Sequence, residues 1–382
     1  MTESIRIATF NVAFDRRKAG QLNKQLGKPY HPQIKKVAEI IQRVRPDILL
    51  LNEFDHDGVA KNTQGIKDFI ANYLNVSQQP TDKECLPIDY GYFYLAPTNT
   101  GLLAEVDINN DGKITLPGDG YGFGDYHGQY GFVLLSRYPL DIKNARSFQQ
   151  FLWKAMPDAA LPVNADGSSY YSAEVLEQFR LSSKNHIDLP VNINGKTIHL
   201  LAMHPTPPIF QGAEQRSGRR NHDEIRLFAD YIDHEKSAYL VDDAGQASGL
   251  ADDQSFVLLG DFNADPVDGD SFQNSIMQLL QHPKINRSAA LGELTPKSAG
   301  GGAAFAKSLP QLKHRGNPAH CSHIFPLRLD YVLPSVDLNV LNSGVYWYPP
   351  EHELGYLFSN QKLEQGKSVA SDHRLVWLDI QR

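Results

Sequence analysis

Five apolar runs of this chain each adjoin a side chain that can bind a metal or move a proton. In every run, three or more strand-forming residues lead up to the polar group or away from it. The runs are ATFNV with Asn11, ILLLNEF with Glu53, LLAMHP with His204, VLLGDFN with Asp261 and Asn263, and SDHRLVWL with Asp372 and His373. Burying an unpaired charge inside a strand is costly. We therefore expect these strand ends to converge on one polar cleft, where open sheets place their chemistry.

Length and composition describe a globular protein with a large core. The chain has 382 residues, of which 41% are hydrophobic and 21% charged. We expect one domain over residues 1–382, with insertions near 80–128, 144–185 and 296–326. No apolar run reaches the roughly 18 residues of a membrane span. The first residues enter a strand without a signal-peptide apolar region, so the protein is either cytoplasmic or has lost its signal.

An early strand, helix and strand indicate an α/β fold. Residues 5–12 and 48–54 have the composition of buried strands, and the apolar residues from Ile34 to Val44 recur with a helical period. Such a unit connects parallel strands of one sheet by a crossover. The interval 13–31 is polar and basic, and we expect a loop there.

Strand and helix signals alternate along the rest of the chain. Asn194–Gly195 joins two strand-like runs and predicts a hairpin. The Gly/Ala-rich stretch 298–306 is expected to be a flexible loop. The other predicted elements are strands at 130–136, 187–193, 197–203, 256–260, 328–333 and 374–380, and helices at 222–234 and 271–281.

Two of the polar strand ends have the chemistry of a hard-cation site. Glu53 ends a run of four large aliphatic residues, and a carboxylate there can hold Mg²⁺ or Ca²⁺. Asn11 offers a neutral oxygen ligand at the end of another strand. Taken singly, each residue is better explained as a polar strand terminus that hydrogen-bonds a turn.

The remaining polar strand ends carry acid–base chemistry. Asp261 and Asn263 project to the same side if their backbone is extended, where they can orient a nucleophile and hold an oxyanion. The alternative is an Asx turn. Asp330 lies in the strand RLDYVL, and a contact between an Asp and His373 would fix the imidazole tautomer and raise its basicity.

The motifs taken together resemble the endonuclease/exonuclease/phosphatase superfamily, the DNase I-like proteins. They are FN near the N-terminus, NE after the first crossover, YGFVLLSRYP, GDFN, LDYVL and a terminal SDH, and they span nearly the whole chain in the family's order. The resemblance implies a four-layered α/β sandwich, in which two mixed sheets lie face to face between helices. It places the cleft at one edge of the sheets.

The same resemblance implies a role for each residue. Asn11, Glu53 and Asp372 would hold a divalent metal, with Mg²⁺ favoured and Mn²⁺ as the alternative. Asp261 would orient or activate water, and Asn263 would bind phosphoryl oxygens. Asp330 would pair with His373 at the scissile phosphate, and His204 would contact the phosphate or assist the leaving group. The chain has no GxSxG, GxxxxGK[ST] or HExxH motif of rival chemistries.

Residues 107–118 resemble a calcium loop. Asp107, Asn109, Asp111 and Gly112 fit its first, third, fifth and sixth positions, whereas the twelfth is Gly118 in place of the usual Glu. We expect a structural Ca²⁺ here, with a plain Asn/Asp turn as the alternative. Cys85 and Cys321 form either one long-range bridge or two inert thiols. These features favour an extracytoplasmic protein, secreted or periplasmic, over a cytoplasmic one.

A basic segment follows the predicted His204 strand. Arg219 and Arg220 precede a helix whose start, Asn221 with Glu224 three residues later, resembles a capping box. Arginines near a helix N-terminus can bind a substrate phosphate. The alternative is a solvated basic turn.

The sequence therefore predicts a metal-dependent phosphoesterase. The formal charge of −7 argues against a general nuclease of duplex DNA. A phosphate ester is the favoured partner, and we expect a monomer. Within enzymes, a nuclease acting on nucleic acid is the alternative. From another class, the alternative is a non-catalytic binding protein on the same fold. The leaving group would be chosen by the insertions, which carry no readable code.

Overall fold

The computed structural model describes residues 4–308, 315–358 and 370–382, and within them eleven strands form two mixed sheets. Sheet 1 has the order β10-β11-β1-β2-β4-β3, and sheet 2 has the order β5-β6-β7-β8-β9. The strands are β1 (Ser4–Phe14), β2 (Ile48–Phe54), β3 (Tyr92–Leu95), β4 (Phe132–Ser136), β5 (Arg146–Ser147), β6 (His186–Ile193), β7 (Lys196–Met203), β8 (Phe256–Asp261), β9 (Asp330–Pro334), β10 (Val340–Val345) and β11 (Val376–Gln381).

The helices lie around these sheets. They are α1 (Gln21–Leu26), α2 (Pro32–Val44), α3 (Gln64–Phe69), α4 (Ala173–Leu176), α5 (Arg216–Tyr231), α6 (Met277–Leu280), α7 (Arg287–Leu291) and α8 (Ala299–Ser308). A π-helical turn, Ile70–Leu74, continues α3. Short 3₁₀ helices occur at Ile142–Asn144, Trp153–Ala155, Ser237–Tyr239, Phe272–Asn274, Pro318–His320 and Gly355–Leu357.

Alternating side chains of sheet 2 divide between two hydrophobic cores. On β7, Leu200 and Ala202 join the core that contains sheet 1 and α2, whereas Leu201 and Met203 join the core beneath α5. This alternation follows from the two-residue period of a strand, which sends neighbours to opposite faces. The layers are therefore helix, sheet, sheet and helix, and the predicted four-layered α/β sandwich is confirmed.

One edge of the sandwich collects the polar strand ends. The strands β1 and β2 run parallel, as do β7 and β8, so their carboxyl ends lie at the same edge within each sheet. The amino ends of β9 and β11 reach this edge because those strands are antiparallel to β8 and β1. β1 also packs across β8 and β9, which brings the two sheets together there.

The predicted hairpin is confirmed, since Asn194 and Gly195 connect β6 and β7 with φ values of 54° and 89°. The prediction of a flexible loop at 298–306 is wrong, because α8 covers this stretch. Its glycines permit close packing: a Cβ on Gly301 would lie 2.2 Å from the Pro318 carbonyl oxygen. The predicted loop at 13–31 contains the short helix α1.

The cysteines and the helices bear on two further predictions. Cys85 and Cys321 are both buried and do not form a disulfide, so the bridged alternative is wrong and one support for an extracytoplasmic protein is lost. Among the described helices, none combines the length and apolar character that crossing a bilayer requires.

Candidate active site

Asp261, the last residue of β8, lies at the centre of the polar edge and is only 1% exposed. Its Oδ2 accepts a hydrogen bond of 3.0 Å from Asn11 Nδ2, which comes from β1 of the other sheet. The same oxygen lies 3.4 Å from His204 Nε2 and 3.6 Å from His373 Nε2. One carboxylate oxygen thus joins both sheets and contacts two imidazoles.

His373 is held by a second buried acid. Its Nδ1 lies 2.9 Å from Asp330 Oδ2, and the Ser322 hydroxyl donates to that same oxygen at 2.7 Å. Burial alone would lower the pKa of His373, but the neighbouring charges of Asp330 and Asp261 raise it to about 10. His373 is therefore an imidazolium at neutral pH, with Nε2–H directed toward Asp261.

His204 directly follows β7 and has the opposite protonation state. Burial lowers its pKa to about 4, and the nearby Lys184 acts in the same direction, whereas Asp261 opposes the shift. His204 Nδ1 has no hydrogen-bond partner among the described residues. Burial works against ionisation of Asp261, yet His373 and His204 hold the pKa of this carboxyl well below its usual range.

Glu53 lies on the sheet 1 side of the edge, within electrostatic range of two further carboxylates, Asp15 and Asp372. It sits at the end of β2 with φ of 58°. Burial raises its pKa to about 7; Asp15 and Asp372 act in the same direction, and His373 and Asn11 oppose the shift. A divalent cation would relieve this repulsion, and carboxylate oxygens are the donors that Mg²⁺ and Mn²⁺ prefer. The donor set therefore fits the predicted metal.

Asn11, a predicted metal ligand, is hydrogen-bonded through both atoms of its amide group. Its Oδ1 accepts a hydrogen bond of 3.1 Å from the backbone N–H of Ala13, a residue with φ of 48°, and keeps a second lone pair. Its amide nitrogen donates to Asp261 and so connects the two sheets. The role of its oxygen as a metal ligand stays a prediction.

Asn263 lies in an Asx turn, the alternative that the sequence analysis left open. Its backbone N–H donates to Asp261 Oδ1 at 3.0 Å, and its φ of 52° is left-handed rather than extended. This is an Asx turn. The side chain Nδ2 donates to the Pro205 carbonyl at 3.1 Å, next to His204. Asn263 therefore lies at the site edge and fastens the loop that carries His204.

The predicted capping box at Asn221 is wrong, because α5 begins at Arg216. Asn221 is fully buried inside the helix, and its amide donates to the carbonyls of Thr206 and Phe262 at 2.9 and 3.0 Å. Glu224 accepts the Thr206 N–H at 2.6 Å. Asn221 and Glu224 are therefore polar because they hydrogen-bond the loops after β7 and β8. They do not cap an exposed helix end.

The two arginines predicted to bind substrate are occupied by packing. Arg219 lies over the ring of Phe272 at 4.6 Å. Arg220 is 8% exposed and its guanidinium donates to three loop carbonyls, those of Leu181, Arg180 and Tyr121. Because these donors are already used, Arg220 fastens loops beside the cleft, which departs from the predicted role in holding a phosphate.

Lys184 was missed by the sequence analysis. It lies just before β6, is 7% exposed, and stands within electrostatic range of Glu224, Glu53 and Asp261. Burial lowers its pKa, and these acids oppose the shift. The adjacent Ser183 N–H donates to Glu224 at 2.6 Å. Its signal was present, since a charged residue directly before an apolar strand is the same pattern as the five opening runs.

His323 was also missed, since no apolar run adjoins it in CSHIF. Its ring centroid lies 4.5 Å from that of His373. Its Nε2 is 3.8 Å from Asp372 Oδ2, and the Asp372 side chain is 49% exposed. The metal-binding atoms of His323, Asp372 and His373 lie within 4.8 Å of one another.

The predicted calcium loop is closed by its own backbone. Asp107 accepts the N–H groups of Asp111 and Gly112 at 3.2 and 2.7 Å, and Asn109 Oδ1 accepts the Asp111 N–H at 3.0 Å. Asp119, which directly follows the loop, is buried and accepts three backbone N–H groups, those of Ile108, Asn109 and Thr115. The structural Ca²⁺ stays a prediction.

Comparison with known proteins identifies the family. A model of the endonuclease/exonuclease/phosphatase family matches residues 8–373. The chain belongs to this family. Its members are mostly hydrolases of phosphoester bonds, and the family's fold is the sandwich described above. No curated protein matches the chain.

Three solved structures of this family's kind illustrate the similarity. An endonuclease/exonuclease/phosphatase from Beutenbergia cavernae is 17% identical, with 99% of this chain and 71% of that chain covered and a TM-score of 0.49. Sphingomyelinase C from Streptomyces griseocarneus is 14% identical, with 99% of both chains covered and a TM-score of 0.45. Beta toxin from Staphylococcus aureus with bound magnesium ions is 14% identical, with 98% and 99% covered and a TM-score of 0.45.

Proposed function

We propose that the protein is a divalent-metal-dependent phosphoesterase that hydrolyses a phosphate ester by in-line attack of water. The observation that carries this proposal is the position of Asp261 Oδ2, which lies within 3.6 Å of Asn11, His204 and His373. An acid, a neutral imidazole and an imidazolium around one point are the groups that orient water and stabilise a phosphoryl group. Family membership supports the same reaction class.

Glu53 and Asp372 would hold the cation, with Asp15 beside them. A bound Mg²⁺ or Mn²⁺ would neutralise charge on the phosphoryl oxygens. Asn11 contributes by fixing Asp261 relative to Glu53, because its amide reaches both carboxylates. These residues would hold the cation on the sheet 1 side of the cleft, next to the groups that would act on water.

The protein groups around Asp261 would orient the water and bind the phosphate. Asp261 keeps a strongly depressed pKa, so it accepts a hydrogen bond from water and orients it more readily than it removes a proton. The His373 imidazolium donates to a phosphoryl oxygen, and Asp330 keeps it charged. Lys184 supplies a second positive charge. His204, neutral and fixed by its loop, contacts the phosphate or the leaving-group oxygen.

A panel of phosphoesters tests the proposal. Wild type would be assayed with Mg²⁺, Mn²⁺ or Ca²⁺ on p-nitrophenyl phosphate, its bis ester, a phospholipid and plasmid DNA. Glu53→Gln and His373→Ala should abolish turnover, whereas Glu84→Gln and His320→Ala, which change residues outside the cleft, should not. Absence of turnover on every ester, or full activity in both cleft variants, would overturn the enzymatic function.

The same panel separates a small-ester enzyme from a nuclease. The formal charge of −7 disfavours extended contact with a polyanion, so we propose a small or medium ester as the substrate. Plasmid cleavage at low protein concentration without turnover of the small esters would favour the nuclease. The extracytoplasmic location and the monomeric state stay predictions.

A further inference from the structure

Residues 322–324 run antiparallel beside residues 372–374, which carry the Asp372–His373 pair. The Ile324 N–H donates to the Asp372 carbonyl at 3.0 Å, and the Arg374 N–H donates to the Ser322 carbonyl at 2.7 Å. His323 and His373 face each other in this pairing. The backbone therefore fixes the His323 ring directly beside the candidate catalytic histidine.

The tautomer of His323 follows from a second hydrogen bond. Its Nδ1 lies 3.0 Å from the backbone N–H of Phe325, which can only donate. Nδ1 is therefore the unprotonated nitrogen, and the ring proton sits on Nε2, 3.8 Å from Asp372 Oδ2. The rings of His373 and Phe325 pack against the imidazole with centroids 4.5 and 5.2 Å away, which restricts its rotation.

The Asp372 carboxylate is half-exposed and weakly hydrogen-bonded. Its side chain is 49% exposed, and the Ser371 hydroxyl donates to it at 3.4 Å. The charges of His373 and Arg374 also act on it. A half-exposed carboxylate can occupy several rotamers, and a fixed N–H beside one oxygen favours the orientation that faces it. His323 presents such an N–H from a ring that packing keeps in place.

We propose that His323 is a positioning residue that holds Asp372 in the orientation in which it binds the divalent cation. This inference rests on the proposed function, because it assumes a cation held by Glu53 and Asp372. His323 acts through Asp372 and needs no contact with the substrate. The family match by itself assigns no role to this histidine, and the effect belongs to cation binding before any substrate is present.

Two variants separate the N–H of His323 from its ring. His323→Phe keeps a planar ring against His373 but removes the N–H, and His323→Gln removes the ring but keeps an amide N–H at a similar distance along the side chain. The Mn²⁺ dissociation constant of substrate-free protein, measured by calorimetry, should rise at least about 10-fold in His323→Phe. His323→Gln should stay close to the wild-type value.

Three controls make the outcome decisive. His320→Phe changes a half-buried histidine of the same segment whose Nδ1 bonds the Pro296 carbonyl, and it should bind Mn²⁺ like wild type. Asp372→Asn should weaken binding, and adding His323→Phe to it should cause no further loss. Near-ultraviolet circular dichroism would show that each variant is folded.

The possible failures differ in what they overturn. Unchanged Mn²⁺ affinity in a folded His323→Phe, or a larger loss in His323→Gln, would overturn the positioning role while the proposed function stands. If wild type binds no Mn²⁺, or Glu53→Gln binds it unchanged, the cation site of the proposed function fails and this inference fails with it.

Discussion

The two halves of the cleft differ in how their charges are compensated. On the sheet 2 side, Asp261 and Asp330 each lie close to an imidazole or a hydroxyl donor. On the sheet 1 side, Glu53 lies in electrostatic range of two further carboxylates, and its pKa is raised to about 7. In the first half, protein side chains oppose the charges of both carboxylates, whereas the second half is suited to an added cation.

This difference suggests a division of labour. Under the proposed function, the sheet 2 half would orient water and donate to the phosphate with protein groups alone, and the sheet 1 half would depend on a metal. If the halves are separate, a change in one should alter turnover without altering cation binding, or the reverse. The predictions below test that separation, beginning with the largest expected effect.

Removing His373 should lower turnover without weakening cation binding. His373→Gln should lower kcat by about 10²- to 10⁴-fold, the range for loss of a group that transfers or donates a proton in the transition state. Its substrate-free Mn²⁺ affinity should be equal to or higher than that of wild type, because the positive charge of His373 near Glu53 and Asp372 is gone. Steady-state kinetics and calorimetry measure the two effects, and a parallel loss of Mn²⁺ binding would show that the halves are not separate.

Lys184 should affect both halves of the cleft, because its amino group lies within electrostatic range of both Glu53 and Asp261. Lys184→Met should lower kcat by about 10²-fold, as expected for loss of a preorganised electrostatic donor. Mn²⁺ affinity should be equal or higher, because a positive charge near the carboxylates is gone. Lys154→Met, which changes a lysine paired with the exposed Glu177, is the matched control. Unaltered kcat would remove Lys184 from the mechanism.

Glu53 should destabilise the metal-free protein at neutral and alkaline pH. The pKa of Glu53 is raised from 4.5 to about 7 in the folded protein, so protonation of Glu53 favours folding. The stabilisation by protonation is fully present below pH 4.5, the pKa in the unfolded chain, and is lost as pH rises through 7. Metal-free Glu53→Gln should therefore melt higher than wild type at pH 8, by about 2–4 °C for each kcal/mol gained. The difference should vanish near pH 4. A lower melting temperature at pH 8 would contradict this account of the sheet 1 half.

The loop at 107–118 provides the smallest effect. Its carboxylates already accept backbone N–H groups, unlike those of the sheet 1 half, yet they match the first positions of a calcium loop. In the Glu53→Ala background, Ca²⁺ should raise the melting temperature and a chelator should lower it. Asp111→Ala should remove the response. A chelator without effect would leave the loop as a plain turn.

Periodicity and turn chemistry were sufficient to predict most of the fold. The four aliphatic residues before Glu53 and the Asn194–Gly195 turn depend on neighbours in sequence, and both elements form as predicted. The prediction of a loop at 298–306 was wrong because its glycines were interpreted as a sign of flexibility. In the structure they let α8 approach Pro318 and Trp347 closely, and a contact with a distant segment has no local signal.

The candidate site shows the same limit. Asp261, His204, His373 and Asp330 were found because each adjoins an apolar strand, and the structure brings all four together. Arg220 was assigned to substrate because its loop partners were invisible in sequence. His323 was missed because its importance arises from pairing with residues fifty positions later along the chain.

The sequence by itself identified the family through its motifs. It also located the strand ends that carry the polar side chains, because the two-residue period of strands and the cost of burying charge are local rules. The tertiary structure decided which of those groups carry a charge and which groups lie beside them. The protonation states of His204 and His373, the donor role of Asn11 and the placement of Lys184 and His323 depend on distances between the two sheets. Such distances are set only when the sheets pack.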